Sequence, residues 1–141
     1  MHVGDKGGPL PMPSDIFETL FAAIDGRRDD LIALTQDLIR IPTINPPGDH
    51  YLEICEYLKR RLDGSGVETE LVRAKGTPGD SDRYPRWNIV GRRAGTLSGD
   101  CVHFNSHTDV VEVGQGWTKN PFGGELEDDR IYGREIGRAH V

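Results

Sequence analysis

The sequence lacks the long apolar segments and the excess of positive charge that would place a protein in a membrane or on a nucleic acid. No apolar run in its 141 residues approaches the ~18–20 residues that a membrane-spanning helix needs. The formal net charge is −6, whereas nucleic-acid-binding domains usually present a basic face. Residues 1–13 contain no apolar core segment, so no signal peptide is predicted. We therefore expect a cytoplasmic protein that binds neither membranes nor nucleic acids.

Cysteine is scarce as well, with two residues and no Cys-x-x-Cys motif, which excludes a zinc site built from thiolates. Cys55 and Cys101 both lie in apolar segments and are predicted to be buried thiols rather than a disulfide. The 18 glycines bring the 35% hydrophobic share close to the apolar content of globular proteins. The composition thus predicts a folded domain that is rich in loops.

The first half of the chain has apolar residues at helical spacing. Helices are predicted from Ser14 to Ile24, from Leu31 to Ile41, and from Asp49 or His50 to Leu62. Pro42 ends the second of these patterns, because proline removes a backbone donor and clashes with the preceding turn. The pattern leaves open whether Gly26 separates the first two helices or is tolerated within one.

The second half predicts strands. Residues 67–74 alternate between apolar and polar side chains, residues 87–91 form another short strand, and residues 101–105 predict a central, largely apolar strand. Residues 125–127 and 130–132 are expected to pair as a hairpin around Asp128 and Asp129. Helices followed by several strands favour an α/β layered domain.

The segment from His103 to Asp109 is the best candidate for a functional site, because it begins as an apolar strand and ends in polar groups. His107 and Asp109 are two residues apart, so an extended backbone points both side chains to the same side. An imidazole is a good ligand for zinc or cobalt, and a neighbouring carboxylate can bind metal or fix the ring's tautomer. His103 is excluded as a co-ligand, since four residues of strand span about 13 Å. Spacing alone equally permits a structural histidine at the end of a strand.

A serine-hydrolase triad of Ser106, His107 and Asp109 is not expected. Three residues of one extended segment cannot form the required geometry, and the sequence has no Gly-x-Ser-x-Gly motif. Neither Gly-x-Gly sequence, at 64–66 or 114–116, opens a helix after a strand as a phosphate-binding loop does.

Four stretches resemble the N-terminal part of the di-zinc amidohydrolase and exopeptidase family, which includes acetylornithine deacetylase, succinyl-diaminopimelate desuccinylase, aminoacylase and glutamate carboxypeptidase. They are LIRIPTINPPG at 38–48, NIVG at 88–91, HFNSHTDVV at 103–111, and WTKNPF at 117–122 with YGR at 132–134. The resemblance covers roughly residues 15–134, and its first and last stretches look closest to the deacetylase and desuccinylase branch. It implies the N-terminal part of a zinc-exopeptidase-like catalytic domain, truncated, with helices packed on a mixed sheet.

By this resemblance, His107 is a metal ligand of a centre that holds two Zn²⁺ or Co²⁺ ions, and Asp109 is a catalytic residue that orients a ligand and tunes the site. Trp117, Pro121 and Phe122 are expected to form a packed loop near the site rather than to contact substrate. The implied reaction of the full-length parent is metal-dependent hydrolysis of the amide bond of an N-acyl amino acid, its small-molecule partner. Alternatives are a dipeptidase or carboxypeptidase of the same family, or a non-catalytic binding fragment. The parent is expected to be a homodimer.

The family pattern stops after Arg134, where a Gly-x-x-Asp-Met-Lys-Gly motif with a metal-bridging aspartate would follow. Residues 135–141 (EIGRAHV) instead resemble a translated sequencing adapter, and we expect them to be non-native. The alternatives are a natural frameshift and a genuine short protein. The expected organisation is a loose segment at 1–13, a partial metallohydrolase catalytic domain at 14–134, and this tail. Because the other metal ligands and the general base are missing, the fragment is expected to be inactive.

Overall fold

The computed structural model describes residues 14–96 and 99–134. The chain divides into two compact units, residues 1–33 and residues 34–141. The expectations for residues 1–13 and 135–141 lie outside the described residues. In the described ranges, no helix combines the length and the apolar character that crossing a membrane would require.

The first unit contains helix α1, Ser14–Asp25, and the start of helix α2, Arg28–Ile39. At the end of α1, the amide of Gly26 donates to the carbonyl of Ala22, and the amide of Arg27 donates to the carbonyl of Ile24. Gly26 therefore separates two helices. The apolar side chains of α1 recur at helical spacing and are all partly exposed; they are Ile16, Phe17, Leu20, Phe21 and Ile24.

In the second unit, α2 ends at Ile39, two residues before the predicted end, and the chain turns at Pro42. Helix α3 spans Tyr51–Asp63, with His50 as its N-cap residue and Gly64 as its C-cap residue. The predicted helix at this position is confirmed to within two residues. Ile54 and Cys55 on α3 are buried, as is Ile39 of α2.

Strand β1, Glu68–Arg73, pairs antiparallel with strand β2, Trp87–Arg92, and α3 packs against both strands. A second antiparallel pair joins β3, Glu125–Glu127, to β4, Arg130–Tyr132. Asp128 and Asp129 between them both have positive φ, as a two-residue hairpin turn requires. The strands predicted at 67–74 and 87–91 and the predicted hairpin are thus confirmed.

The long loop between β1 and β2 is fixed by the carboxylate of Asp80, whose side chain is 4% exposed. Its Oδ1 lies 3.0 Å from Nε of Arg73 at the end of β1, and it accepts the backbone amide of Arg86 at 3.0 Å just before β2. The amide of Gly76 donates to Oδ2 at 3.1 Å. One buried carboxylate therefore ties the loop to both of its ends.

Three predictions are wrong. The segment from Cys101 to Asn105 forms no strand and is exposed. Cys101 was predicted to be a buried thiol but is exposed, whereas Cys55 is buried as predicted. The described residues also contain two separate antiparallel sheets instead of one mixed sheet; their parallel pairing is limited to an isolated bridge between Ile44 and Val110. The physical reason is that a central strand needs hydrogen-bonding neighbours on both sides, and none of the four strands is paired with this segment. What remains is a small α/β arrangement, consistent with a truncated domain.

Candidate functional site

The backbone that carries the candidate site is fixed against the loop that follows α2. The amide of Val110 donates to the carbonyl of Thr43 at 2.9 Å, and the amide of Asn45 donates to the carbonyl of Val110 at 2.8 Å. The hydroxyl of Thr43, a residue that is 1% exposed, donates to the carbonyl of Thr108 at 2.5 Å. Proline at position 42 ends the helical pattern, and the three residues after it run beside residues 108–110.

The structure brings the side chains of His107 and Asp109 together. Nδ1 of His107 lies 3.0 Å from Oδ1 of Asp109 and 3.0 Å from the backbone oxygen of the same residue. Both oxygens can only accept, so Nδ1 carries the proton, and in the neutral ring Nε2 keeps its lone pair. The imidazole is 64% exposed. This is the arrangement in which a carboxylate orients a histidine for metal binding through its other nitrogen.

The second oxygen of Asp109 is held by two donors from the loop and from α3. Asn45 donates through Nδ2 at 2.8 Å, and the Tyr51 hydroxyl donates at 3.1 Å. Burial raises the pKa of Asp109, but the hydrogen bonds from Asn45, Tyr51 and His107 outweigh it and hold that pKa below its ordinary value. Burial and the adjacent carboxylate raise the pKa of Tyr51 to about 12. Asp109 is therefore an anion and Tyr51 a donor at neutral pH.

Sequence analysis did not identify three residues of the hydrogen-bond network around Asp109 as functional: Asn45, Tyr51 and Arg86. Asn45 lies within a stretch that carries the family resemblance, but Tyr51 follows the predicted helix start, and Arg86 lies in a loop 41 residues after Asn45. Nη1 of Arg86 donates to Oδ1 of Asn45 at 3.0 Å. A polar residue placed before two prolines in a turn is the one local feature that points to Asn45.

A cavity of about 140 Å³ opens beside His107. Its walls are mainly apolar and come from α2, α3 and the segments around Val110 and Phe122. Phe122 therefore lies near the site, as expected for the packed loop, and Arg134 also lines the cavity, with its Nε donating to the carbonyl of Val111 at 3.1 Å.

The donor set fits one position of a metal centre but not a complete one. An imidazole whose Nδ1 is held by a carboxylate matches the chemistry of a zinc ligand. Across residues 14–96 and 99–134, however, no three His, Cys, Asp or Glu side chains are grouped so that they could hold a metal ion. His103 is exposed, and no hydrogen bond of the site includes it.

Comparison with curated proteins gives matches to succinyl-diaminopimelate desuccinylases. Succinyl-diaminopimelate desuccinylase of Cereibacter sphaeroides is 38% identical over 107 residues, which are 74% of this chain and 25% of that protein. The desuccinylase of Methylorubrum extorquens is 37% identical over 107 residues, or 73% of this chain and 25% of that protein.

The 107 aligned residues of this chain are homologous to the succinyl-diaminopimelate desuccinylases. The desuccinylase of Methylobacterium radiotolerans supports the same assignment, with 34% identity over 107 residues, 75% of this chain and 25% of that protein. The chain spans about a quarter of the length of the curated relatives it matches. No family model matches the chain. No solved structure matches it either.

Proposed function

We propose that the chain supplies one side of the metal centre of an amidohydrolase that cleaves the amide bond of an N-acyl amino acid. The observation that carries this proposal is the pairing of His107 Nδ1 with Asp109, which leaves the lone pair of Nε2 available to a metal ion. The homology to desuccinylases supports it independently, because hydrolysis of an N-succinyl amide is the reaction named for those relatives.

The roles of the residues follow from their hydrogen bonds. His107 would bind a metal ion through Nε2, and Asp109 would hold the ring in the tautomer that this requires and make it more basic. Asn45 and Tyr51 keep the Asp109 carboxylate in place through its other oxygen. Two Zn²⁺ or Co²⁺ ions, when bound, would supply polarisation of the scissile carbonyl and a water of lowered pKa.

The proposal assigns residues 14–134 to a partial catalytic domain and residues 135–141 to a non-native tail. A single imidazole does not form a metal centre, so the 141-residue chain is expected to hydrolyse nothing by itself. The complete protein would act on N-succinyl-diaminopimelate, N-acetylornithine or a related N-acyl amino acid, as a homodimer. The activity for which the relatives are named favours this interpretation over a dipeptidase or carboxypeptidase.

The proposal is tested by sequencing the source DNA past the codon for Arg134 and expressing the protein that the continuing frame encodes. We expect zinc-dependent hydrolysis of N-succinyl-diaminopimelate or N-acetylornithine, and none by the 141-residue chain. His107→Ala should abolish the activity, and Asp109→Asn should lower kcat/KM by about 10–100-fold. His103→Ala is the matched control and should leave kcat/KM unchanged.

Two results would overturn the proposal. One is a His107→Ala protein that keeps full activity while His103→Ala loses it. The other is a frame that stops after Val141 in the source DNA, because the remaining ligands could then not come from the same chain.

A further inference from the structure

The guanidinium of Arg86 occupies a site that is shaped for it. It lies against the backbones of Gly48 and Gly79, where an added Cβ would overlap Nη1 and Nη2 respectively. The backbone amide of Arg86 is held by Asp80, and its carbonyl accepts the amide of Ala74. The backbone of Arg86 is therefore fixed by the Asp80 carboxylate, and its guanidinium is enclosed by the two glycines.

The same guanidinium contacts both residues that donate to Oδ2 of Asp109. Nη1 donates to Oδ1 of Asn45 at 3.0 Å, which fixes the orientation of the Asn45 amide, because its oxygen must face Arg86 and its nitrogen must then face Asp109. The guanidinium carbon also lies 5.0 Å from the centroid of the Tyr51 ring, within cation–π range. Nε of Arg86 is buried with no hydrogen-bond partner in the described residues, so the contacts with Asn45 and Tyr51 add to the two glycines in fixing the orientation of the group.

We propose that Arg86 is a positioning residue for His107, acting through Asn45 and Tyr51 on Asp109. With Oδ2 occupied by the two donors, Oδ1 is left facing Nδ1 of His107, and the ring keeps its proton on that nitrogen. This inference rests on the proposed function, since it concerns the tautomer that would leave Nε2 available to a metal ion.

Arginine suits this role better than lysine because its planar fork can donate in one direction while its face stacks on an aromatic ring. An ammonium group could donate to Asn45 but would not present a flat face to Tyr51. Arg83 offers a natural comparison: it is exposed and lies 5.1 Å from the centroid of the Tyr84 ring, but no hydrogen bond of the network includes it.

The test measures the tautomer of His107 directly, in the 141-residue chain without metal or substrate. Long-range ¹H–¹⁵N spectra at about pH 8 distinguish a neutral ring protonated at Nδ1 from one protonated at Nε2. The His107 signals are assigned by their loss in His107→Ala. We expect the Nδ1–H form to predominate, and Arg86→Met to lower the ratio of Nδ1–H to Nε2–H about fivefold, the factor for one net hydrogen bond.

Arg83→Met is the matched control and should leave the ratio unchanged. If Arg86→Met loses the amide signals of the paired residues Leu71 and Ile89, the variant has unfolded, and Asn45→Ala then carries the test with the same expected fall. An unchanged ratio in a folded Arg86→Met protein, or an equal fall in Arg83→Met, would overturn the proposal. Because no metal or substrate is present, these outcomes are independent of whether the proposed hydrolase activity is found.

Discussion

Residues 108–110 are held by hydrogen bonds to the loop after α2, whereas residues 101–106, which lie just before them in the chain, form no strand and are exposed. Val110 is 7% exposed, but Phe104 is 90% exposed. Residues 101–106 are the more apolar in sequence, with Val102 and Phe104 against Val110 alone in residues 108–110, so hydrophobicity does not explain the difference. The difference lies in partners: Thr43 and Asn45 pair with the second half through backbone hydrogen bonds, and no strand of the described residues pairs with the first.

The comparison shows that a strand-like sequence specifies a strand only where a second chain segment satisfies its backbone groups. The site lies on the half of the segment that has such a partner. The geometry of His107 and Asp109 therefore depends on the loop of residues 43–48 and on the residues that shape it.

The largest expected effect comes from disturbing, at Gly48, the loop that holds residues 108–110. Gly48→Ala introduces a Cβ that overlaps the Arg86 guanidinium, at a backbone φ of +105° that residues with a side chain rarely adopt. Both the strain and the displaced arginine destabilise the fold, and we expect the free energy of unfolding to fall by on the order of 3 kcal/mol. Urea denaturation of the 141-residue chain measures the change.

Gly76→Ala is the control for backbone strain alone. Its φ is +77°, but an added Cβ meets nothing within 4 Å. We expect a loss of about 1 kcal/mol. Equal losses in the two variants would show that the packing of Arg86 against Gly48 contributes nothing.

The next effect concerns the loop that delivers Arg86 to the site. Hydrogen bonds from Arg73 and from the backbone amides of Arg86 and Gly76, opposed by burial, lower the pKa of Asp80 to about 2 from 3.8 in the unfolded chain. Between these two values the unfolded state binds more protons than the folded state. The contribution of Asp80 is therefore complete above pH ~4 and is lost as the pH falls towards 2.

Asp80→Asn should remove this part of the pH dependence and lower stability at neutral pH. Unfolding followed by circular dichroism between pH 2 and 5 measures it. Asp82→Asn is the control, because Asp82 also pairs with Arg73, at 3.1 Å, but its side chain is 99% exposed. Exposed ion pairs contribute about 0–1 kcal/mol, so this variant should keep the wild-type pH profile. If Asp82→Asn and Asp80→Asn flattened it equally, the buried carboxylate would not be the group responsible.

Local patterns were sufficient to predict much of the fold. Alternation at 67–74 and the two aspartates between 125–127 and 130–132 are signals contained within a few residues, and both predictions are confirmed. The prediction of a central strand at 101–105 was wrong because such a strand forms only where other segments of the chain pair with it. A short apolar run indicates which side chains could be buried, but not whether another segment of the chain packs against them.

The candidate site divides in the same way. The pairing of His107 with Asp109 follows from their separation of two residues along an extended backbone. The donors that fix Asp109 come from 64 and 58 residues away, and Arg86 reaches Asn45 across 41 residues. No periodicity connects such positions, so the network becomes visible only when the loop after α2, α3 and the start of β2 have been brought together.

The smallest expected effect comes from a substitution in the exposed residues 101–106. Phe104→Ser replaces a large aromatic residue in the exposed half, where it buries little surface, and should change the free energy of unfolding by no more than about 0.5 kcal/mol. Val110→Ala, six residues later in the held half, removes less apolar volume but should cost about 2 kcal/mol, because that side chain is buried. Urea denaturation compares the two directly. A Phe104→Ser protein destabilised as much as Val110→Ala would mean that residues 101–106 bury their apolar side chains in solution, and the contrast between the two halves would disappear.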